Sequence, residues 1–139
     1  MFLQKSNLIE YIINKLTKRY IKNKPERNRK MIHILVVDDD KNLNQTVCTY
    51  LNDCGFEAKG VLSANEAYDE MYNNLYELII SDIMMPEIDG FEFAETVRQV
   101  NKQIPILFMS AKDDLPSKRK GFLVGIDDYM VKPVELAEL

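Results

Sequence analysis

The sequence has no tryptophan, one histidine and only two cysteines. Cys48 and Cys54 lie six apart on one predicted helix, which is neither a CxxC pair nor a disulfide framework. A reduced intracellular setting is the default for such a chain, with both thiols as small core residues. No apolar run approaches the ~18 to 20 residues that a spanning helix requires. The N-terminus lacks the apolar region and small-residue cleavage site of a signal peptide. A cytoplasmic address is therefore expected. Internal repeats and low-complexity segments are absent too, and 139 residues are one domain's worth, with one core.

What is present is charge of two signs, separated along the chain. Residues 1–30 carry nine Lys or Arg against Glu10 and Glu26, net +7, whereas residues 31–139 carry nine against twenty, net −11. That asymmetry predicts a basic extension, 1–30, on an acidic domain, 31–139. Phosphate-backbone affinity rests on cationic contacts, so the acidic domain is not itself expected to bind nucleic acid. Within the extension, Leu8, Ile9, Ile12, Ile13, Leu16 and Tyr20 fall on one arc of a helical wheel, predicting an amphipathic helix over 8–21. Lys22 to Lys30 has no apolar residue and contains Pro25, and reads as a linker.

From Met31 onward strands and helices alternate. Ile32–Val37 is β-rich and ends on Asp38, Asp39 and Asp40. Leu43, Val47, Tyr50, Leu51 and Cys54 then recur at helical spacing up to Gly55. Phe56–Val61 alternates as an edge strand wetted on one face does. Ser63 and Glu66 form a capping box for a helix through Ala67, Met71 and Leu75. Leu78–Ile80 is an unbroken apolar run, as a strand buried on both faces requires, and Asp82 follows it. Asp89 and Glu92 can cap the next helix, with Phe91, Ala94 and Val97 on its apolar side. A strand Ile106–Met109 leads to Ser110, a helix spans Leu115–Val124 with Gly125 at its end, and a short strand Tyr129–Val131 leads to Lys132 and Pro133. This is (βα)₅. Short connections and right-handed crossovers then imply an α/β, doubly wound, flavodoxin-like parallel sheet.

Four of the five strands end on a reactive residue type: Asp38 and Asp39, Asp82, Ser110, and Lys132. In the strand order 2-1-3-4-5 those four strands are neighbours, and the switch point lies between the first and the third. Three crowded carboxylates either raise a pKa or bind a hard cation. Oxygen ligands without nearby His or Cys favour Mg²⁺. With a cation present, Asp82 is placed to attack phosphorus, while Lys132 and the Ser110 hydroxyl can meet the remaining phosphoryl oxygens. Asp40 reads as a helix cap with no metal role. Taken singly, Ser110 reads as a satisfied hydroxyl, Tyr129 as a sheet aromatic and Lys132 as a solvated cation; their joint register sets those readings aside.

VVDDD, SDIMMPEIDG, FMSA and YMVKP, in that order at strand ends, resemble the receiver (CheY-like) domain of bacterial response regulators, over Met31 to Leu139. The resemblance implies that Asp82 is the phosphoacceptor for a sensor histidine kinase. It implies Mg²⁺ ligation by Asp39, Asp82 and the Met84 carbonyl, with Asp38 acting through water. By the same match Ser110 is the switch hydroxyl, Tyr129 the rotating aromatic and Lys132 the phosphate-binding cation, and the bond before Pro133 is cis. Met84 and Lys112 match positions that tune phosphoryl lifetime, and Ala111 the small residue that leaves the acid accessible. The domain is then a phosphoacceptor with at most self-phosphorylation and self-dephosphorylation, not a turnover enzyme. The ending GIDDYMVKPVELAEL resembles receivers of winged-helix transcription factors. Those would dimerise on phosphorylation through the face of the fourth helix, fifth strand and fifth helix of the repeat, and reach DNA through an output domain.

Two other functions fit parts of the pattern. Asp38-x-Asp40 resembles the nucleophile motif of Mg-dependent haloacid-dehalogenase phosphatases, although Asn42 stands where those carry Thr or Val and no cap insertion is present. A receiver-like docking module that never carries phosphate is the third. The helix after Pro133 is expected to be truncated at Leu139, as in a fragment or a shortened gene. The 8–21 helix could then pack as a surrogate for it. A loosely attached arm is the expectation the sequence favours, and a membrane-surface helix remains open.

Overall fold

Branched apolar runs in the sequence become the strands of a single sheet, and each of the first four is followed by a helix whose first turn is closed by a polar side chain. The computed structural model describes residues 5–21 and 31–133. In chain order the elements are α1 (Lys5–Ile21), β1 (His33–Val37), α2 (Lys41–Asp53), β2 (Glu57–Val61), α3 (Ala64–Asn73), β3 (Leu78–Ser81), α4 (Gly90–Val100), β4 (Ile106–Ser110), α5 (Leu115–Val124) and β5 (Asp128–Val131). All pairings are parallel and the strand order is β2-β1-β3-β4-β5, the doubly wound order expected. The linker 22–30 and the residues after Pro133, including the expected fifth helix, lie outside the described residues.

The helix starts follow local chemistry. Asp40, Ser63, Asp89 and Asp114 each accept a hydrogen bond from the backbone N–H three residues on, satisfying a donor the helix cannot. α5 stops at Gly125, which takes a left-handed φ of 110° that only glycine adopts without strain. α3 ends earlier than its apolar spacing predicts. The Asn73 side chain donates to the Asp69 carbonyl and that of Asn74 to the Glu70 carboxylate, ending the last turn, and Leu75 is exposed beyond it.

The sheet separates two cores. On one face Leu35, Val37, Ile79, Ile106 and Phe108 pack with α3 and α4 residues such as Ala67, Phe93, Ala94 and Val97, and with Ile126. On the other face Ile34, Val36, Leu78, Ile80, Leu107, Met109 and Met130 pack with Val47, Tyr50 and Leu51 of α2. This second core also contains Ile9, Ile12 and Ile13 of α1, all buried. The extension is thus seated on the sheet, which departs from the loosely attached arm the sequence favoured. Burying an isoleucine contributes about 1.5 to 3 kcal/mol, so three on one arc favour the docked helix over one left in water. Among the described residues no helix is long and apolar enough to cross a membrane.

Candidate functional site

The parallel ladder runs one residue past three of the strands. Asp38 N–H donates to the Val61 carbonyl, Asp82 N–H to Val37 and Lys132 N–H to Ser110. These three residues are therefore fixed by backbone bonds at the carboxyl edge of the sheet, with their side chains converging across β1, β3 and β5. Lys132 Nζ lies 2.8 Å from Asp38 Oδ2 and 3.0 Å from Asp82 Oδ2. Both carboxylates are buried, and the lysine side chain is 16% exposed. The other oxygen of each acid is held by main chain: Asp38 Oδ1 accepts from Asp40 N–H at 2.9 Å, and Asp82 Oδ1 from Ile83 N–H at 2.7 Å.

Carboxylate oxygens of Asp38, Asp39 and Asp82 come within 4.8 Å of one another, with Asp39 exposed and the other two buried. One ammonium faces three acids, so the site is short of positive charge. Burial pushes the Asp38 carboxyl above its usual range; the contacts with Lys132 and Asp40 N–H oppose that, and the neighbouring Asp82 adds to it. Burial pulls the Lys132 ammonium down, but the two carboxylates on it prevail and raise it. An all-oxygen donor set that repels itself fits a hard divalent cation such as Mg²⁺. Asp40, by contrast, spends Oδ1 on Leu43 N–H at the start of α2 and stays outside this cluster.

Ser110 is fully buried at the end of β4, and its hydroxyl accepts from Lys112 N–H at 3.2 Å. Tyr129 is half-buried on β5, with its ring edge-on to Phe108. Its hydroxyl donates to the Lys112 carbonyl at 2.6 Å. Ser110 and Tyr129 thus meet on the same short turn after β4. The Met84 side chain is exposed in the loop after Asp82, and its N–H approaches Asp82 Oδ1 at 3.4 Å. Ala111 is exposed beside Ser110. The Lys132–Pro133 peptide is cis.

Three residues whose part here the sequence reading did not find hold this edge in place. The Asn44 amide, buried on α2, donates to the carbonyls of Asp38 at 3.0 Å and Val61 at 2.8 Å, tying β1 to β2 just below the acids. Its sequence signal was a polar residue three before Val47 and seven before Leu51, on the apolar side of the helix. Gly60 gives it room, since a Cβ there would lie 1.9 Å from Asn44 Oδ1. Gly90 starts α4 against the backbone of the phosphoacceptor candidate: an added Cβ would lie 2.3 Å from the Asp82 carbonyl oxygen and 2.7 Å from Ile83 Cα.

A parallel 2-1-3-4-5 sheet with this acid set at its carboxyl edge defines a receiver-type fold. The chain belongs to the response regulator receiver family, whose domain profile matches residues 34–139. It is 37% identical over 108 residues to the transcriptional regulatory protein RprY of Bacteroides fragilis, covering 78% of this chain and 46% of RprY. It is 38% identical over 109 residues to the transcriptional regulatory protein CiaR of Streptococcus pneumoniae, covering 78% of this chain and 48% of CiaR. The solved structure of the chemotaxis protein CheY4 of Vibrio cholerae superposes with a TM-score of 0.73 at 34% identity, covering 76% of this chain and 89% of that one. The chain spans about half the length of the curated relatives it matches. Helix α1 precedes the matched region.

Proposed function

We propose that this domain receives a phosphoryl group on Asp82 from the phosphohistidine of a sensor kinase and relays the event as a change of surface. The observation that carries the reading is the placement of Asp82: a buried carboxylate, oriented through Oδ1 by main-chain N–H, with Oδ2 turned to Lys132 and to the Asp38–Asp39 cluster. Asp39, Asp82 and the Met84 carbonyl would hold Mg²⁺, with Asp38 acting through water. When bound, that ion supplies the positive charge that lets anionic carboxylate and phosphoryl oxygens approach.

In the transfer, an Asp82 oxygen bonds to phosphorus as the phosphorus–nitrogen bond of the donor breaks, and the imidazole keeps the electron pair. Lys132, already ionised and within reach of Asp82, follows the new phosphoryl oxygens. Ser110 Oγ–H can donate to another of them. For this it turns from the Lys112 N–H, and Tyr129, released from the Lys112 carbonyl, moves into the space left. Asp40 is committed to its helix cap, which favours Asp82 over an Asp38-x-Asp40 phosphatase centre. The relatives are named as transcriptional regulators, so transcription in the cytoplasm, through a DNA-binding output domain, is the proposed end of the relay.

The test is covalent labelling. With Mg²⁺ and a small phosphodonor the protein should gain one acid-stable, base-labile phosphate, and Asp82→Asn should gain none. A label that survives Asp82→Asn and is lost in Asp38→Asn would transfer the assignment to the phosphatase reading, and no label in the unaltered protein would leave the docking module.

A further inference from the structure

The amino edge of the sheet, opposite the acids, carries a cleft of about 840 Å³. Its walls are the starts of β1 and β2 and the residues 70–77 that lead from α3 to β3. His33 is held there between two strands: its Nε2 lies 2.8 Å from Glu57 Oε2 and its Nδ1 3.1 Å from Glu77 Oε1, which also accepts from His33 N–H at 2.7 Å. Glu70 Oε1 accepts from the Tyr76 hydroxyl at 2.5 Å and from the Asn74 amide at 3.0 Å. Each of the three glutamates therefore spends one oxygen on the fold. Their other oxygens, Glu57 Oε1, Glu70 Oε2 and Glu77 Oε2, have no partner among the described residues. Glu77 is only 9% exposed, yet among the described residues no buried side-chain oxygen goes without a hydrogen bond. Its Oε2 therefore opens into the cleft it lines.

The charges of the two walls act on a common point. Burial and the bond to Glu70 raise the Tyr76 phenol, and the charges of Glu70 on α3 and Glu57 on β2 both add to that. The carbonyl end of α3 faces the same space with no basic residue in its last turn, which adds negative potential. Against this the cleft sets Lys59 and His33. The rim is apolar: Met31, Tyr72 and Leu75 are exposed large side chains that cover no part of the core.

We propose that this cleft takes an arginine side chain from an extended segment of a partner protein, with an apolar neighbour of that arginine resting on Leu75. The unspent carboxylate oxygens select a cation. A guanidinium suits them better than an ammonium, because it stacks on an exposed ring such as Tyr72 while its five N–H groups remain free for carboxylates. A segment suits the cleft better than a small free cation, which would leave Tyr72 and Leu75 uncovered. β1 and β3 lead from here to Asp38 and Asp82 at the opposite edge, so the contact does not depend on whether Asp82 carries phosphate.

The full chain, ¹⁵N-labelled and titrated with a capped tripeptide of arginine between two leucines, tests this. The amides of Tyr72, Leu75 and Glu77 should shift and saturate, with a dissociation constant of about 1 mM or below. The same tripeptide with citrulline, which has the shape of arginine without its charge, should bind roughly tenfold more weakly or worse. Glu70→Gln keeps an acceptor for Tyr76 and removes the charge; it and the surface change Tyr72→Ala should each weaken binding several-fold at an unchanged melting temperature. Shifts that do not saturate, or equal binding of the citrulline peptide, would overturn the proposal. So would equally tight binding of ethylguanidinium alone, which would make the cleft a small-cation site. Concentration-dependent shifts of the same amides without peptide would make a second copy the occupant and overturn it too.

Discussion

At the scale of single residues, the site depends on groups that do no chemistry. Gly90 is the clearest case, because the start of α4 presses directly on the Asp82 and Ile83 backbone. Gly90→Ala should cost about 1 to 3 kcal/mol of stability through overpacking. It should also slow labelling of Asp82 beyond what the loss of folded protein accounts for, as read by urea melts alongside phosphodonor kinetics. The acids divide similarly. Asp39→Ala should abolish Mg²⁺ binding and labelling, whereas Asp40→Ala should retain both and lose about 1 kcal/mol with its cap, measured by Mg²⁺ titration and thermal melting. A Zn²⁺ preference beyond the general affinity order would count against the assignment. Asp38, Asp82, Ser110 and Lys132 were legible because a parallel sheet collects the residues after its strands at one edge, whatever the details of packing. Asn44, Gly60 and Gly90 were not, since their roles rest on close approaches between elements distant in sequence, which no local pattern records.

At the scale of elements, caps and strand ends were readable from residue type, and helix ends were less so. α3 shows why: Met71 and Leu75 continue an apolar spacing, yet two asparagine side chains compete successfully for the last turn. α5 offers a test of how far a cap governs its helix. Asp114 accepts from both Ser117 N–H, at 2.8 Å, and Ser117 Oγ–H, at 2.9 Å. These bonds hold its carboxyl below the usual range. A lowered folded-state value means that the stabilisation is fully present above the unfolded value of 3.8 and is lost as pH falls through the folded value. The Ser117 amide should therefore lose protection, taken relative to its intrinsic exchange rate at each pH, once pH drops below that range, and in Asp114→Asn the acid-dependent step should vanish. On the far side of the same helix, Arg98 donates to the carbonyls of Asn101, Ile104 and Gly125 and to Asp127, locking α4 to the approach of β5. Nothing in the sequence distinguished this arginine, because its acceptors are mostly main-chain oxygens.

At the scale of the whole molecule, the relay proposed above would need a surface that a second copy can read. Leu115, Phe122 and Leu123 of α5 are 57%, 50% and 86% exposed, a cluster of apolar side chains on the face next to the switch. Arg119 and Lys120 on α5 and Asp128 on β5 supply opposite charges for a two-fold contact. Lys118 and Asp127 are engaged within the domain: Lys118 is 2.9 Å from Asp113, and Asp127 is 2.9 Å from Arg98. Sedimentation of the full-length protein should show a monomer that becomes a dimer with a phosphoryl mimic, and Leu123→Asp should keep it monomeric. An unchanged monomer would sink the dimerisation reading. The seat of α1 bears on a different stage of the molecule's life, its synthesis. A helix attached after β5 leaves the ribosome last, so the Leu107, Met109 and Met130 side of the sheet would wait uncovered while the strands assemble. Helix α1 is made before the first strand, so the part of that face it shares a core with can begin to close as soon as β4 and β5 emerge.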